Sequence, residues 1–299
     1  MHVEECCFAL LSHTLPKIDN SREGLCIDVG VGTFAFYCEL FSRMGFETVA
    51  VEPLPTKKLR VLCKVLGITL FESCLTDKDG IETIYIGTFQ GSDNLNLSSL
   101  MPDWWGSSAK SEQVNTVSLS TLLKSIRPFN KITCLKIDVE GVELLIIKQL
   151  LQILKSKLPS VVQFEYGGGG NLQEKRGGWS EKAMNETLSC LEILKKLGYK
   201  DAILVDSSPS SVERIISLEQ TDINPMTFFE PNYLYGNILL FKDKVCDVDF
   251  YQVCKPYRDN KTKPPPVLPP GSGMQSYRKR FFHMIIDVYR IIHNSKPKM

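Results

Sequence analysis

The chain has 299 residues, 43% of them hydrophobic and 23% charged, an ordinary globular composition with material for one large domain or two small ones. The formal net charge of +1 is unevenly placed: from Phe250 onward ten Lys/Arg stand against Asp259 and Asp287, a local +8, which leaves residues 1–249 at −7. An acidic body excludes nucleic acid as its main ligand.

The ten cysteines are scattered, several inside apolar runs, and none pair at the CxxC spacing of a zinc or redox site. They read as free thiols buried as small hydrophobes in a reducing compartment. The apolar run Phe8–Leu11 is too short for a signal peptide or a membrane span. A cytoplasmic protein is expected.

In chain order, residues 1–23 form an N-terminal extension. Leu25, Cys26 and Ile27 then make an apolar run ending in Asp28. A turn with Gly30 and Gly32 leads into a helical pattern (Phe34, Tyr37, Cys38, Leu40, Phe41, Met44), and a second strand, Thr48–Val51, closes on Glu52. A helix over Thr56–Leu66 is stopped by Gly67, and a short strand, Ile68–Phe71, follows. Ile81–Ile86 alternates as a strand, residues 87–111 read as loop around Trp104 and Trp105, and Val114–Leu119 is a further strand before a short helix, Ser120–Ile126. The buried strand Ile132–Ile137 ends in Asp138, helix Val142–Lys157 follows, and strand Val161–Phe164 ends in Glu165. A glycine-rich loop from Gly167 to Gly178, helix Ser180–Leu197, and strands Ala202–Val205 and Leu234–Phe241 complete a domain spanning 24–245. Residues 246–273 hold a stiff polyproline linker, and 274–299 a basic amphipathic helix.

Strands alternating with helices at this spacing imply βαβ crossovers and a mostly parallel sheet, with ligands outside the carboxyl ends of the strands. Asp28, Glu52, Asp138 and Glu165 each fall at such an end. The first unit is a nucleoside site: the glycines admit close backbone approach, and an acid ending the second strand takes ribose hydroxyls. Gly30-Val-Gly32-Thr-Phe-Ala35 matches the dinucleotide fingerprint, with Glu52 at about the expected ~20 residues on, so an NAD-dependent oxidoreductase is one reading. Asp28 speaks against it, because a carboxylate there repels a pyrophosphate and suits the cationic S-adenosylmethionine.

LCIDVGVGTFAF, VAVEPLP, TDKDG, NLSSL, VSLSTLL, LKIDVEGVELLIIKQL, PSVVQFE and YGNILLF, in that order over roughly 24–242, resemble the FkbM-type methyltransferases, with Lys136–Glu143 the most specific stretch. The resemblance implies a class I, Rossmann-like α/β fold with a mostly parallel seven-stranded sheet, helices on both faces, and methyl transfer from S-adenosylmethionine to a hydroxyl of a small molecule or glycan. By matching position, Asp28, Gly30 and Gly32 hold the methionine part, Glu52 the ribose, Ser73 and Cys74 the adenine, and Asp138 lies near the transferred methyl. The family has Asn and then Gly further into the first turn, where this chain has Gly32 and Phe34. That departure keeps a non-catalytic nucleoside-binding or scaffold protein as a third reading.

Methyl transfer needs alignment, exclusion of water and removal of the acceptor's proton. His2, His13, His283 and His293 all lie outside the catalytic body, so Asp138, Glu140 and Glu165 are the catalytic candidates, with Lys136 and Tyr166 behind them. Neighbouring carboxylates raise one another's pKa toward a usable base. They also suit Mg²⁺, although the site is expected to work without metal. Glu143 reads as a helix N-terminal charge, and Trp104 and Trp105 as either local packing or an acceptor platform. The segment 274–299 presents two readings, an interfacial helix on an anionic membrane and docking onto the acidic body or a second copy.

Overall fold

A computed structural model describes residues 1–168, 179–209, 211–245 and 248–258. The glycine-rich stretch 169–178, the polyproline segment 262–273 and the basic segment 274–299 lie outside them. Helix α1 (Val3–Ile18) precedes β1 (Leu25–Val29), α2 (Phe36–Arg43), β2 (Glu47–Val51), α3 (Lys57–Leu66) and β3 (Thr69–Phe71). A second sheet follows from β4 (Cys74–Thr76), β5 (Gly80–Phe89), β6 (Ser92–Asp93) and β7 (Ser107–Ser118). Then come α4 (Leu119–Ser125), β8 (Ile132–Ile137), α5 (Glu143–Gln149), β9 (Val161–Gly167) and α6 (Glu181–Lys196). The described chain closes with β10 (Asp201–Asp206), β11 (Arg214–Ser217), α7 (Pro225–Phe228), β12 (Tyr235–Phe241) and α8 (Phe250–Cys254).

Local chemistry sets many of these bounds. The Thr56 hydroxyl accepts from the Leu59 amide and caps α3, and Gly67, at φ +68°, ends it in the left-handed conformation. Ser180 caps α6 in the same way through the Ala183 amide. In β1 and β8 every residue is buried, which is why both read as continuous apolar runs.

The main sheet runs β11-β10-β12-β9-β8-β1-β2-β3, eight described strands where seven were expected. The additional strand, β11, is a four-residue edge whose Arg and Ser ends hide any apolar alternation. The mostly parallel expectation is also corrected. Four junctions are parallel, from β3 through β2, β1 and β8 to β9, but β12 runs antiparallel to both β9 and β10, and β11 antiparallel to β10.

Alternate residues of each strand feed opposite faces. Ile27, Val29, Leu135 and Ile137 pack toward α5 and α6, whereas Cys26 and Cys134 pack toward α1 and α2. Helix α1 belongs to the second core: Val3, Cys6, Cys7, Leu10 and Leu11 are buried at helical spacing, alongside Cys254 of α8 and Tyr257. Every described cysteine is a free, buried thiol. No described helix is long and apolar enough to cross a membrane.

Two further expectations change. Residues 87–111 are not all loop, because β6 and the start of β7 lie there, paired with β5. The first part of β7, residues 107–113, has no buried residue and so carries no alternation to read, whereas its end, with Val114 and Thr116 buried about an exposed Asn115, is the strand expected from Val114 onward. The helix expected over Val142–Lys157 ends at Gln149 and continues as short 3-10 turns, because Leu151 and Leu154, which extend the apolar period, are exposed.

Candidate active site

A cavity of about 320 Å³ opens at the carboxyl ends of β1, β2, β8 and β9, where the strand order reverses between β1 and β8. Part of its roof comes from the second sheet and the 3-10 turn Leu95–Leu97.

The loop after β1 forms one wall. Gly30 sits at φ +72°, and a Cβ there would stand 1.6 Å from the Asp138 carbonyl oxygen, so only glycine lets β1 pass the end of β8. The Gly32 amide donates to Glu52 Oε2 at 2.8 Å, and the Thr33 amide to Asn96 Oδ1 at 2.7 Å. Ala35 takes the left-handed conformation (φ +57°) from which α2 starts.

Gly30, Gly32, Glu52, Ser73, Cys74, Asp138, Glu140 and Glu165 all line this cavity. Asp28 does not. It is 1% exposed, and its carboxylate accepts from the Cys38 amide at 2.9 Å and ion-pairs with Lys136 at 3.2 Å. The expectation that Asp28 holds the ligand is therefore corrected to a role behind the glycine turn, since its side chain lies on the α2 face of the sheet.

Glu52 anchors the second strand's end. Oε1 accepts from the Leu54 amide at 2.9 Å and Oε2 from Gly32, so each oxygen keeps a lone pair. Burial raises this carboxyl above its usual range, and the two amides oppose the rise. The Ser73 hydroxyl is buried with no hydrogen-bond partner, and burial pushes the neighbouring Cys74 thiol up to about 12.

At the other end, oxygens of Asp138, Glu140 and Glu165 lie within 4.8 Å of one another, close enough to share a proton or a cation. Burial, then the Asp138 charge, raises the Glu140 carboxyl, although the Trp104 indole opposes this. Burial and the Asp138 and Glu140 charges likewise raise Glu165. Lys136 Nζ donates to Gly30 O at 2.9 Å and stands 3.3 Å from Asp138 Oδ2. Burial alone would lower this ammonium, but Asp28, Asp138 and Glu4 hold it above its usual value.

Glu140 is held from the roof. Its backbone is left-handed (φ +55°), a conformation costing on the order of 1 kcal/mol or more for a non-glycine residue. The Ser99 hydroxyl donates to its carbonyl at 2.5 Å and the Trp104 indole to its Oε2 at 2.6 Å. Trp104 is thus the packing partner of the site, and Trp105 lies beside Phe89 with ring centroids 6.4 Å apart. Glu143 is half-buried and accepts from the Val139 and Gly141 amides, fixing the turn that carries Glu140. Tyr166 points elsewhere and donates to Asp206. Neither His2 nor His13 lines the cavity.

Sequence reasoning missed Glu4, Asn96 and Ser99. Glu4 reaches the cavity from α1, and the available signal was the stripe Cys6, Cys7, Leu10, Leu11, which marks a packed helix. Asn96 and Ser99 sit in a segment without periodicity, and their only signal was the NLSSL motif of the family resemblance, which assigned them no role.

The turn speaks against the dinucleotide reading, because the Gly32 and Thr33 amides that would face a pyrophosphate donate to Glu52 and Asn96. Glycine turn, acid-ended second strand and acidic strand ends together make a nucleoside-binding α/β domain of the kind that methyltransferases use. The chain belongs to the FkbM methyltransferase family, whose domain model matches residues 24–200. Among solved structures it is similar to the methyltransferase domain of bacterial CtHen1, with 10% identity, a TM-score of 0.36, and 79% of this chain and 99% of that chain covered. It is also similar to the plantazolicin methyltransferase BpumL in complex with SAH, with 10% identity, a TM-score of 0.37, and 80% and 83% covered. No curated protein matches the chain.

Proposed function

We propose that the protein is an S-adenosylmethionine-dependent O-methyltransferase acting on a hydroxyl of a small molecule or glycan. The observation that carries this reading is the division of the cavity. One end offers unspent acceptors and an orphaned hydroxyl, at Glu52 and Ser73, and the other gathers Asp138, Glu140 and Glu165.

The residues present fit the cofactor. Glu52 retains lone pairs for two ribose hydroxyls, Ser73 has a buried Oγ awaiting a partner, Cys74 offers a neutral apolar flank for the adenine, and Gly30 and Gly32 leave the wall bare. When bound, S-adenosylmethionine supplies a methyl group on a sulfonium. The remaining work falls to the protein's own groups. The Lys136 ion pair orients Asp138, while Trp104 and Ser99 orient Glu140. The carboxyls of Glu140 and Glu165, raised by burial and by the Asp138 charge, take up a proton more readily than exposed acids, which is what removal of a hydroxyl proton requires. The roof segment Leu95–Leu100 covers part of the site, where it would limit the access of water.

Equilibrium binding of S-adenosylhomocysteine and of NAD to the purified protein tests the reading. Binding of the thioether nucleoside and none of NAD is expected. The reverse, or binding of neither, overturns it, the second outcome leaving a scaffold protein.

A further inference from the structure

We infer that Glu4 is an acceptor-binding residue, so that α1, which precedes the residues matched by the family model, floors the acceptor end of the cavity and selects a polyhydroxylated ligand without anionic groups. The inference rests on the methyl-transfer reading above. Glu4 lines the cavity with Lys136, Asp138 and Glu165. Its carboxylate is fixed from behind: the Tyr37 hydroxyl donates to Oε2 at 2.7 Å and the Asn237 amide to Oε1 at 3.0 Å. Gln163 locks both partners, donating to Tyr37 Oη at 2.9 Å and to Asn237 Oδ1 at 3.0 Å. Each Glu4 oxygen therefore keeps a lone pair, held in position by groups from α2, β9 and β12.

Charge narrows the ligand. Four carboxyls, Glu4, Asp138, Glu140 and Glu165, meet at this end, and Lys136 is the only cation lining it among the described residues. Lys136 Nζ already donates to Gly30 O and is ion-paired with both Asp28 and Asp138. Nothing here is left to receive a phosphate or carboxylate, and such a group would meet like charge. Hydroxyl donors, in contrast, find acceptors on every side. Phe34 and Phe36, 61% and 51% exposed and stacked with centroids 5.6 Å apart, add an apolar wall. An apolar wall and a set of hydrogen-bond acceptors in one cavity fit a ring bearing several hydroxyls.

The test incubates full-length protein with S-adenosylmethionine carrying a deuterated methyl group. The acceptors are a cell extract of small molecules and glycans, split by anion exchange into retained and unretained pools. Label is expected in the unretained pool. Glu4→Gln should lower the rate at limiting extract about tenfold, with the maximal rate little changed and S-adenosylhomocysteine affinity within about twofold of wild type. If Glu4→Gln lacks a cooperative thermal transition, Glu4→Asp, which keeps the charge but withdraws it, should show the same split. Label confined to the retained pool overturns the ligand class. Equal rates in wild type and variant, or a loss of maximal rate alone, overturn the role of Glu4. No label from either pool, despite S-adenosylhomocysteine binding, overturns both. Failure to bind S-adenosylhomocysteine at all instead overturns the methyl-transfer reading.

Discussion

Asp28 and Lys136 are register partners across the parallel β1–β8 junction, and their charged groups stand 3.2 Å apart with both side chains almost wholly buried. Their pairing follows from strand register, which brings the two Cα atoms side by side and points both side chains toward α1 and α2. Removing one member of a buried pair leaves the other charge unpaired, at a cost of about 3–5 kcal/mol. Asp28→Ala should therefore lower unfolding free energy by about that amount in a denaturant melt, and Asp28→Leu combined with Lys136→Met should recover part of it. Loss of nucleoside binding in Asp28→Ala without loss of stability would contradict this placement.

Glu52 acts on the loop and the ligand together. Glu52→Ala removes the acceptor of the Gly32 amide and both candidate ribose contacts, so S-adenosylhomocysteine binding should weaken by about 1–3 kcal/mol in calorimetry. Unchanged affinity would place the nucleoside elsewhere.

For Asp138, ion-paired to Lys136 at 3.3 Å and open to the cavity, Asp138→Asn should leave the fold and cofactor affinity nearly intact and depress turnover far more. Activity is expected to survive chelation with EDTA. If Mg²⁺ restores an activity that EDTA abolishes, the three clustered carboxylates are metal ligands instead.

Glu143 carries a pH signature. Burial pushes its carboxyl from an ordinary 4.5 up to about 7, so between those values the folded protein keeps a proton that the unfolded chain releases. Its contribution to stability consequently falls as pH rises through that window and levels off above it, by about 3 kcal/mol at most. Both amides it accepts come to the same oxygen, Oε1, at 3.2 and 3.3 Å, so Glu143→Gln preserves them while removing the charge. The variant should be more stable than wild type at about pH 8, the two converging at low pH, as measured by denaturant melts across the range.

Much of the parallel half of the fold was legible in the sequence because its signals are local. The runs at Leu25–Ile27 and Ile132–Ile137, the stop at Gly67 and the glycines at 30 and 32 each declare a backbone conformation through neighbouring residues alone. The cavity-lining positions Glu52, Asp138, Glu140 and Glu165 followed from them, since a parallel strand's carboxyl end is known once the strand is, while Ser73 and Cys74 came only from the family resemblance. The tertiary structure alone decided which acids face the ligand. It turned Asp28 to a lysine more than a hundred residues away, brought Glu4 in on a helix from the far end of the chain, and set Trp104 and Ser99 on Glu140. It also extended β7 back through the exposed residues 107–113, which have no apolar rhythm to announce them. Those relationships depend on strand register and on packing between segments distant in sequence, and neither is written in the spacing of adjacent residues.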